Sequence, residues 1–238
     1  MRAMIRLIVA TIAIGLVVDA RAGAHGQLAV NLAAWAVFAR LWIVSAPAQR
    51  PALLACLVYA TAGEVFLSLV WGLYDYRLGN IPLFVPPGHV LLFWLGTQFA
   101  ARLPRGAEWA IAALAAAVTL SLALAGRDTL GPLLLALFLA CMAASRSRKL
   151  YATMLLLALA MELWGTWLGN WTWRRDVPWL GLVTANPPLA AGAFYAALDL
   201  LVVATVAALR RQSPASPILT PSTPSHQAAT CSARSSSR

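Results

Sequence analysis

Residues 64–76 read Glu64-Val-Phe-Leu-Ser-Leu-Val-Trp-Gly72-Leu-Tyr74-Asp-Tyr76, and residues 162–173 read Glu162-Leu-Trp-Gly-Thr-Trp-Leu-Gly169-Asn-Trp171-Thr-Trp173. Each stretch places an acid inside an apolar run and then closes on Gly-x-aromatic-x-aromatic. Ile81-Pro82 and Pro86-Pro87-Gly88-His89 follow the first; Val177-Pro178 and Asn186-Pro187-Pro188 follow the second. The parts come in the same order, with one residue of difference between Glu and Gly. Such an ordered recurrence reads as an internal repeat. Each copy ends one apolar segment and leads into the next.

Working outward, eight apolar segments emerge: Met4–Val18, Gln27–Ala46, Pro51–Tyr74, Leu83–Ala101, Ala107–Ala125, Leu130–Ala144, Leu150–Asn170 and Pro188–Leu209. Most are long enough for a ~30 Å hydrocarbon core. Of the 238 residues, 61% are hydrophobic and 11% charged. A soluble domain is about half apolar and a quarter charged, so a water-soluble enzyme is excluded, as is a disordered chain. Cys56, Cys141 and Cys231 are too few for a secreted disulfide scaffold. The expected fold is all-α, a polytopic transmembrane helix bundle over residues 1–211. The repeat relates segments three and four to seven and eight, a 4+4 parallel arrangement about an axis along the membrane normal.

The net charge is +10, yet the basic residues flank apolar segments instead of clustering, which argues against nucleic acid and for topology. With the N-terminus in the cytoplasm, twelve lie inside: Arg2, Arg6, Arg50, Arg102, Arg105, Arg146, Arg148, Lys149, Arg210, Arg211, Arg234 and Arg238. Five lie outside: Arg21, Arg77, Arg127, Arg174 and Arg175. That bias predicts both termini cytoplasmic. Abundant Ala with Arg in place of Lys points to a GC-rich bacterial genome, hence a multi-pass protein of the bacterial inner membrane. An alternative for residues 1–22 is a signal peptide ending near Ala20-Arg21-Ala22. Residues 212–238, rich in Ser, Pro and Thr with scattered Arg, predict a disordered basic cytoplasmic tail.

A membrane acid is costly and usually faces the protein interior. Glu64, Glu162 and Asp199 qualify, all ~12–17 Å below the outer ends of their segments at helical rise. Helical spacing puts Glu64 on a face with Ser68, Trp71 and Asp75, Glu162 with Thr166, Gly169 and Trp173, and Asp199 with Tyr195. We expect these acids to form a catalytic site lined by Tyr74, Tyr76, His89, Asn170, Trp171, Trp173 and Asn186. A buried carboxylic acid is a general acid, and indole and phenol faces stabilise cations. The alternative is structural: the acids pair with Arg40, Asn31, Thr166 or a tyrosine hydroxyl and fix helix packing. No metal-ligand spacing, phosphate loop or dinucleotide fingerprint is present, so neither metal nor cofactor is expected. The bilayer and a lipid-soluble substrate are the expected partners.

The stretch Tyr76-Arg-Leu-Gly-Asn-Ile-Pro-Leu-Phe-Val-Pro-Pro-Gly-His89, with Leu168-Gly-Asn-Trp-Thr-Trp173 and Asn186-Pro-Pro188, resembles a family of bacterial multi-pass proteins of unassigned function. The order of membrane Glu, Gly-x-aromatic-x-aromatic and aliphatic-Pro is also similar to the carotenoid hydratases that act on acyclic carotenoids. On that comparison Glu64 and Glu162 fall where those enzymes carry a membrane acid; Pro86-Pro87-Gly88-His89 departs from their pattern. Size and membrane carboxylates resemble the small integral-membrane terpene cyclases. These likenesses imply proton or water addition to, or cyclisation of, an isoprenoid or carotenoid. The rival expectations are a small proton- or cation-coupled transporter and a non-catalytic membrane protein.

Overall fold

The computed structural model describes residues 1–212. Eight α-helices run in order: α1 Arg2–Arg21, α2 Gly23–Val44, α3 Arg50–Glu64, α4 Val85–Ala100, α5 Ala107–Leu124, α6 Gly131–Ala144, α7 Arg148–Leu168 and α8 Gly192–Gln212. A π-helical turn, Val65–Val70, continues α3. Six of these stretches are long and apolar enough to cross a membrane. The exceptions are α4, with 16 residues, and α6, with 14. At helical rise they reach only ~24 Å and ~21 Å, less than a ~30 Å hydrocarbon core as helix alone. For α4 the reason is local: Pro86 and Pro87 suit a first helical turn, so Leu83 and Phe84 stay outside the helix.

The fold is predominantly helical, as the all-α expectation has it, and the loops add a little strand. Four short strands form two antiparallel pairs: β1 Tyr74–Tyr76 with β2 Trp171–Trp173, and β3 Asp176–Val177 with β4 Leu182–Val183. The C-terminal boundary moves too, because α8 continues through Gln212. The rest of the expected tail lies outside the described residues.

The helices α3, α4, α7 and α8 pack on one another in the middle, with the α1–α2 and α5–α6 pairs against them. The turns α1–α2, α3–α4, α5–α6 and α7–α8 gather at one end, called here the ladder end. Arg77 and Asn170 reach Asp19 and Leu16 of α1 there, and Thr129 meets Val183. Small residues permit the close approach: a Cβ on Gly192 would lie 2.6 Å from Leu155 Cα.

The one-residue spacing difference between the two repeated stretches has a structural explanation. A π turn holds one more residue than an α turn. In the first stretch the amide of Trp71 bonds to the carbonyl of Phe66, five residues back. Glu162 and Gly169 instead sit on one α-helix whose end follows the glycine cap pattern, with the Asn170 amide on the Gly165 carbonyl. Both chains then reverse on a glycine in the left-handed region, φ +73° at Gly72 and +79° at Gly169. A side chain is strained at either.

Candidate active site: two carboxylates beneath one ladder

The reversals bring β1 and β2 together in a single register: Tyr74 opposite Trp173, Asp75 opposite Thr172, Tyr76 opposite Trp171. Strand residues alternate faces. The four aromatic side chains therefore turn into the bundle and are buried, while Asp75 and Thr172 face out. Arg174 clamps Asp75 with two hydrogen bonds of 2.7 Å at the rim. That contact holds the Asp75 carboxyl below its ordinary value, chiefly through the hydrogen bond and then through the guanidinium charge.

Each acid is gripped from above by its own strand. Tyr74 Oη and Tyr76 Oη donate to Glu64 Oε2 at 2.8 and 2.6 Å. Trp171 Nε1 and Trp173 Nε1 donate to Glu162 Oε2 at 2.8 and 3.0 Å. The second oxygen of each acid faces a ring from the following helix: His89 Nε2 of α4 lies 3.4 Å from Glu64 Oε1, and Tyr195 Oη of α8 lies 3.5 Å from Glu162 Oε1. Those two rings stack face to face, 4.9 Å apart and 7° from parallel. Glu64 and Glu162 are both buried.

One hydrogen bond orients the imidazole: His89 Nδ1 is 3.0 Å from the Val85 carbonyl, an acceptor only, so Nδ1 carries the hydrogen. That turns Nε2 toward Glu64 Oε1, 3.4 Å away, within reach for a proton to pass between the two groups.

The acids open onto a cavity of about 320 Å³. Its walls are almost wholly apolar: Trp71, Phe84, Phe194 and Leu198 join the ladder aromatics, with Ile12, Leu16 and Val30 from the first two helices. Phe66 and Leu201 line it too and are about half exposed, 47% and 50%. The cavity thus reaches the outer belt of the bundle between α3 and α8.

The structure brings together Glu64, Glu162, Tyr74, Tyr76, His89, Trp171 and Trp173. It does not bring Asp199, Asn170 or Asn186 to the cavity. Asp199 lies one turn deeper than Tyr195, fully buried, and neither carboxylate oxygen has a partner among the described residues. The expected convergence of three acids is therefore two. Asn170 Nδ2 donates to Asp19 Oδ2 at 2.7 Å and to the Leu16 carbonyl at 3.0 Å, tying the ladder to α1. Asn186 Oδ1 accepts the Trp173 amide at 3.0 Å and so braces β2.

Of the face expected for Glu64, Trp71 lines the cavity with it, but Asp75 does not, because the π turn and Gly72 end the helix before Asp75. Trp173 meets Glu162 by folding back on a strand, where helical spacing had put it on the same face. Sequence reasoning missed Asp19, buried at the end of α1. It also missed Phe194 on the cavity wall. Asp19 stands one residue beyond the first apolar segment, a place that reads as solvated.

Among the described residues no group of three His, Cys, Asp or Glu side chains could hold a metal ion. No family model, no curated protein and no solved structure matches this chain.

Proposed function

We propose that this chain is an integral membrane enzyme that delivers a proton to a carbon–carbon double bond of a lipid-soluble isoprenoid or carotenoid, leading to water addition or cyclisation. The observation that carries the reading is a pair of buried carboxylates, each gripped by two ladder aromatics, facing one apolar cavity that reaches the lipid belt. In this reading Glu64, charged by His89, gives its proton to one alkene carbon, leaving a cation at the other. The Trp171, Trp173 and Tyr74 faces and the Glu162 carboxylate stabilise that cation. Water adds and releases a proton, or a second double bond attacks and a proton is lost to a carboxylate. Either way the acid pair regains what it gave.

We further propose that all eight helices cross a bacterial inner membrane with both termini cytoplasmic, and that the chain is a 4+4 parallel repeat. The ladder register supports this. A two-fold axis through the Asp75–Thr172 pair exchanges Tyr74 with Trp171 and Tyr76 with Trp173. The same axis exchanges Glu64 with Glu162 and His89 with Tyr195. Reporter fusions after Arg77 and after Arg175 are expected to read as external; a cytoplasmic signal at either overturns the topology.

A second reading has support in the same cavity. Two acids within aromatic walls also suit an organic cation, and a proton-coupled transporter would use them at mid-membrane. Lipid extracts from cells with the gene, without it, and with Glu64→Gln separate the two. The enzyme reading expects a hydrated or cyclised isoprenoid only with the intact gene. Identical extracts, with uptake of an organic cation depending on Glu64, would establish the transporter.

A further inference from the structure

The helices α3 and α8 pack side by side, and a second opening runs down the same seam toward the opposite end of the bundle. It is a groove of about 480 Å³ with Arg50 and Trp42 at its mouth. Its α3 wall includes Ala55 and Tyr59; its α8 wall is Leu209 and Thr205. The acid cavity then takes up the same two stripes, with Tyr59 and Gly63 on α3 and Leu201 and Leu198 on α8. Positions 55, 59 and 63, and 209, 205, 201 and 198, step by three or four residues, the spacing of one helix face. Tyr59 belongs to both openings. Its hydroxyl is 2.8 Å from Thr205 Oγ1. Among the described residues this is the single side-chain hydrogen bond between α3 and α8, and it lies across the seam between groove and cavity.

The mouth is cationic. The Arg50 guanidinium stacks on Trp42, its carbon 5.6 Å from the ring centre. Its Nε is buried with no partner among the described residues. Arg50 also opens α3, and Arg210 and Arg211 stand in the last turn of α8 at the same end. Below this mouth, and apart from the Tyr59–Thr205 pair, the seam is lined by apolar side chains over fourteen residues of helix, from Arg50 to Glu64, or ~21 Å.

We infer that the α3–α8 seam seats a single-chain isoprenoid phosphate, with its head on Arg50 and its tail running past the Tyr59–Thr205 latch to the acid pair. This rests on the enzyme reading above and names the substrate class for it. A guanidinium over an indole keeps its fork of donors for a phosphate monoester. Groove and cavity follow one seam between two helices, a path for one chain. A tail of ~20 Å places an unsaturation beneath Glu64, far from the head, and the reaction then spares the phosphate.

The test uses the full chain in nanodiscs of neutral lipid, with geranylgeranyl phosphate as the probe. Binding is expected to weaken roughly tenfold or more in Arg50→Gln, the loss of one charged hydrogen bond. Arg50→Lys should recover part of it. Geranylgeraniol, inorganic phosphate and phosphatidylglycerol should compete poorly. A diazirine at the far end of the tail should label Gly63, Phe66 or Leu198. Thr205→Tyr, which fills the seam, should keep the head bound and abolish that label. Equal binding by Arg50→Gln, equal competition by phosphatidylglycerol, or labels scattered over the outer helices would overturn the inference. Binding without any conversion counts against the enzyme reading alone. Conversion of a neutral isoprenoid without phosphate binding counts against this inference alone.

Discussion

The Glu64 half and the Glu162 half of the site share a plan and differ in chemistry. Each acid receives two donors from its strand and one ring from the next helix. Around Glu64 the donors are phenols and the ring is an imidazole, groups that both give and accept protons. Around Glu162 two of the donors are indoles, which only donate. The difference fits the division of labour proposed above, in which Glu64 with His89 moves the proton and Glu162, fixed by two indole donors, faces the place where a cation would form.

Substituting the acids gives the largest effects. Glu64→Gln should keep the fold and lower isoprenoid conversion by about 10²–10⁴-fold, since an amide cannot supply the proton. Glu162→Gln should lose about 10²–10³-fold, as for removal of an electrostatic stabiliser. Conversion rates and thermal unfolding of both variants check this. A larger loss at Glu162 would reverse the assignment of roles.

Packing beneath the indoles comes next. A Cβ on Gly165 would run into the Trp171 ring, whose Nε1 holds Glu162. Gly165→Ala should therefore destabilise by about 1–3 kcal/mol and displace that hydrogen bond, while leaving the Glu64 side intact. Chemical denaturation measures the first effect, and tryptophan fluorescence reads the second. An unchanged midpoint would show that the indole is not wedged against α7.

A smaller change sharpens the phenol–indole contrast. Tyr76→Phe removes one 2.6 Å hydrogen bond to Glu64 and should lower stability by about 1–3 kcal/mol. It should also shift the pH profile of conversion, because a group that exchanges protons with the acid is gone. Trp173→Phe should lower stability without moving that profile. Equal pH shifts from both variants would erase the contrast.

The rim should matter least. The Asp75 and Arg174 side chains are 58% and 52% exposed, and exposed pairs contribute about 0–1 kcal/mol. Because the folded-state carboxyl is held below its ordinary value of 3.8, its small contribution is present above that value. It is lost as pH falls through the lower folded value. Asp75→Asn should match that loss at neutral pH in a thermal melt.

The helices were legible because a long apolar run fixes its own secondary structure in lipid. The two membrane acids and the four ladder aromatics were legible because they recur in order. The ladder itself was not. Three-residue strands carry too little periodicity to be told from helix continuation, and Tyr74 reads as the last residue of an apolar run. The π turn is visible only as a spacing of eight against seven. Asp199 misled for a physical reason: depth along a helix follows from counting residues, whereas which neighbours a face meets depends on packing. Its place one turn below Tyr195 takes it out of the cavity.

The most direct test of the central claim, that Glu64 protonates an isoprenoid in a shared cavity, is isotope incorporation. Purified protein in nanodiscs is incubated in D₂O with an acyclic isoprenoid or its phosphate, and the product is weighed by mass spectrometry. The account predicts one carbon-bound deuterium per product from the parent protein and no labelled product from Glu64→Gln. A product without deuterium, or full labelling by Glu64→Gln, would contradict it.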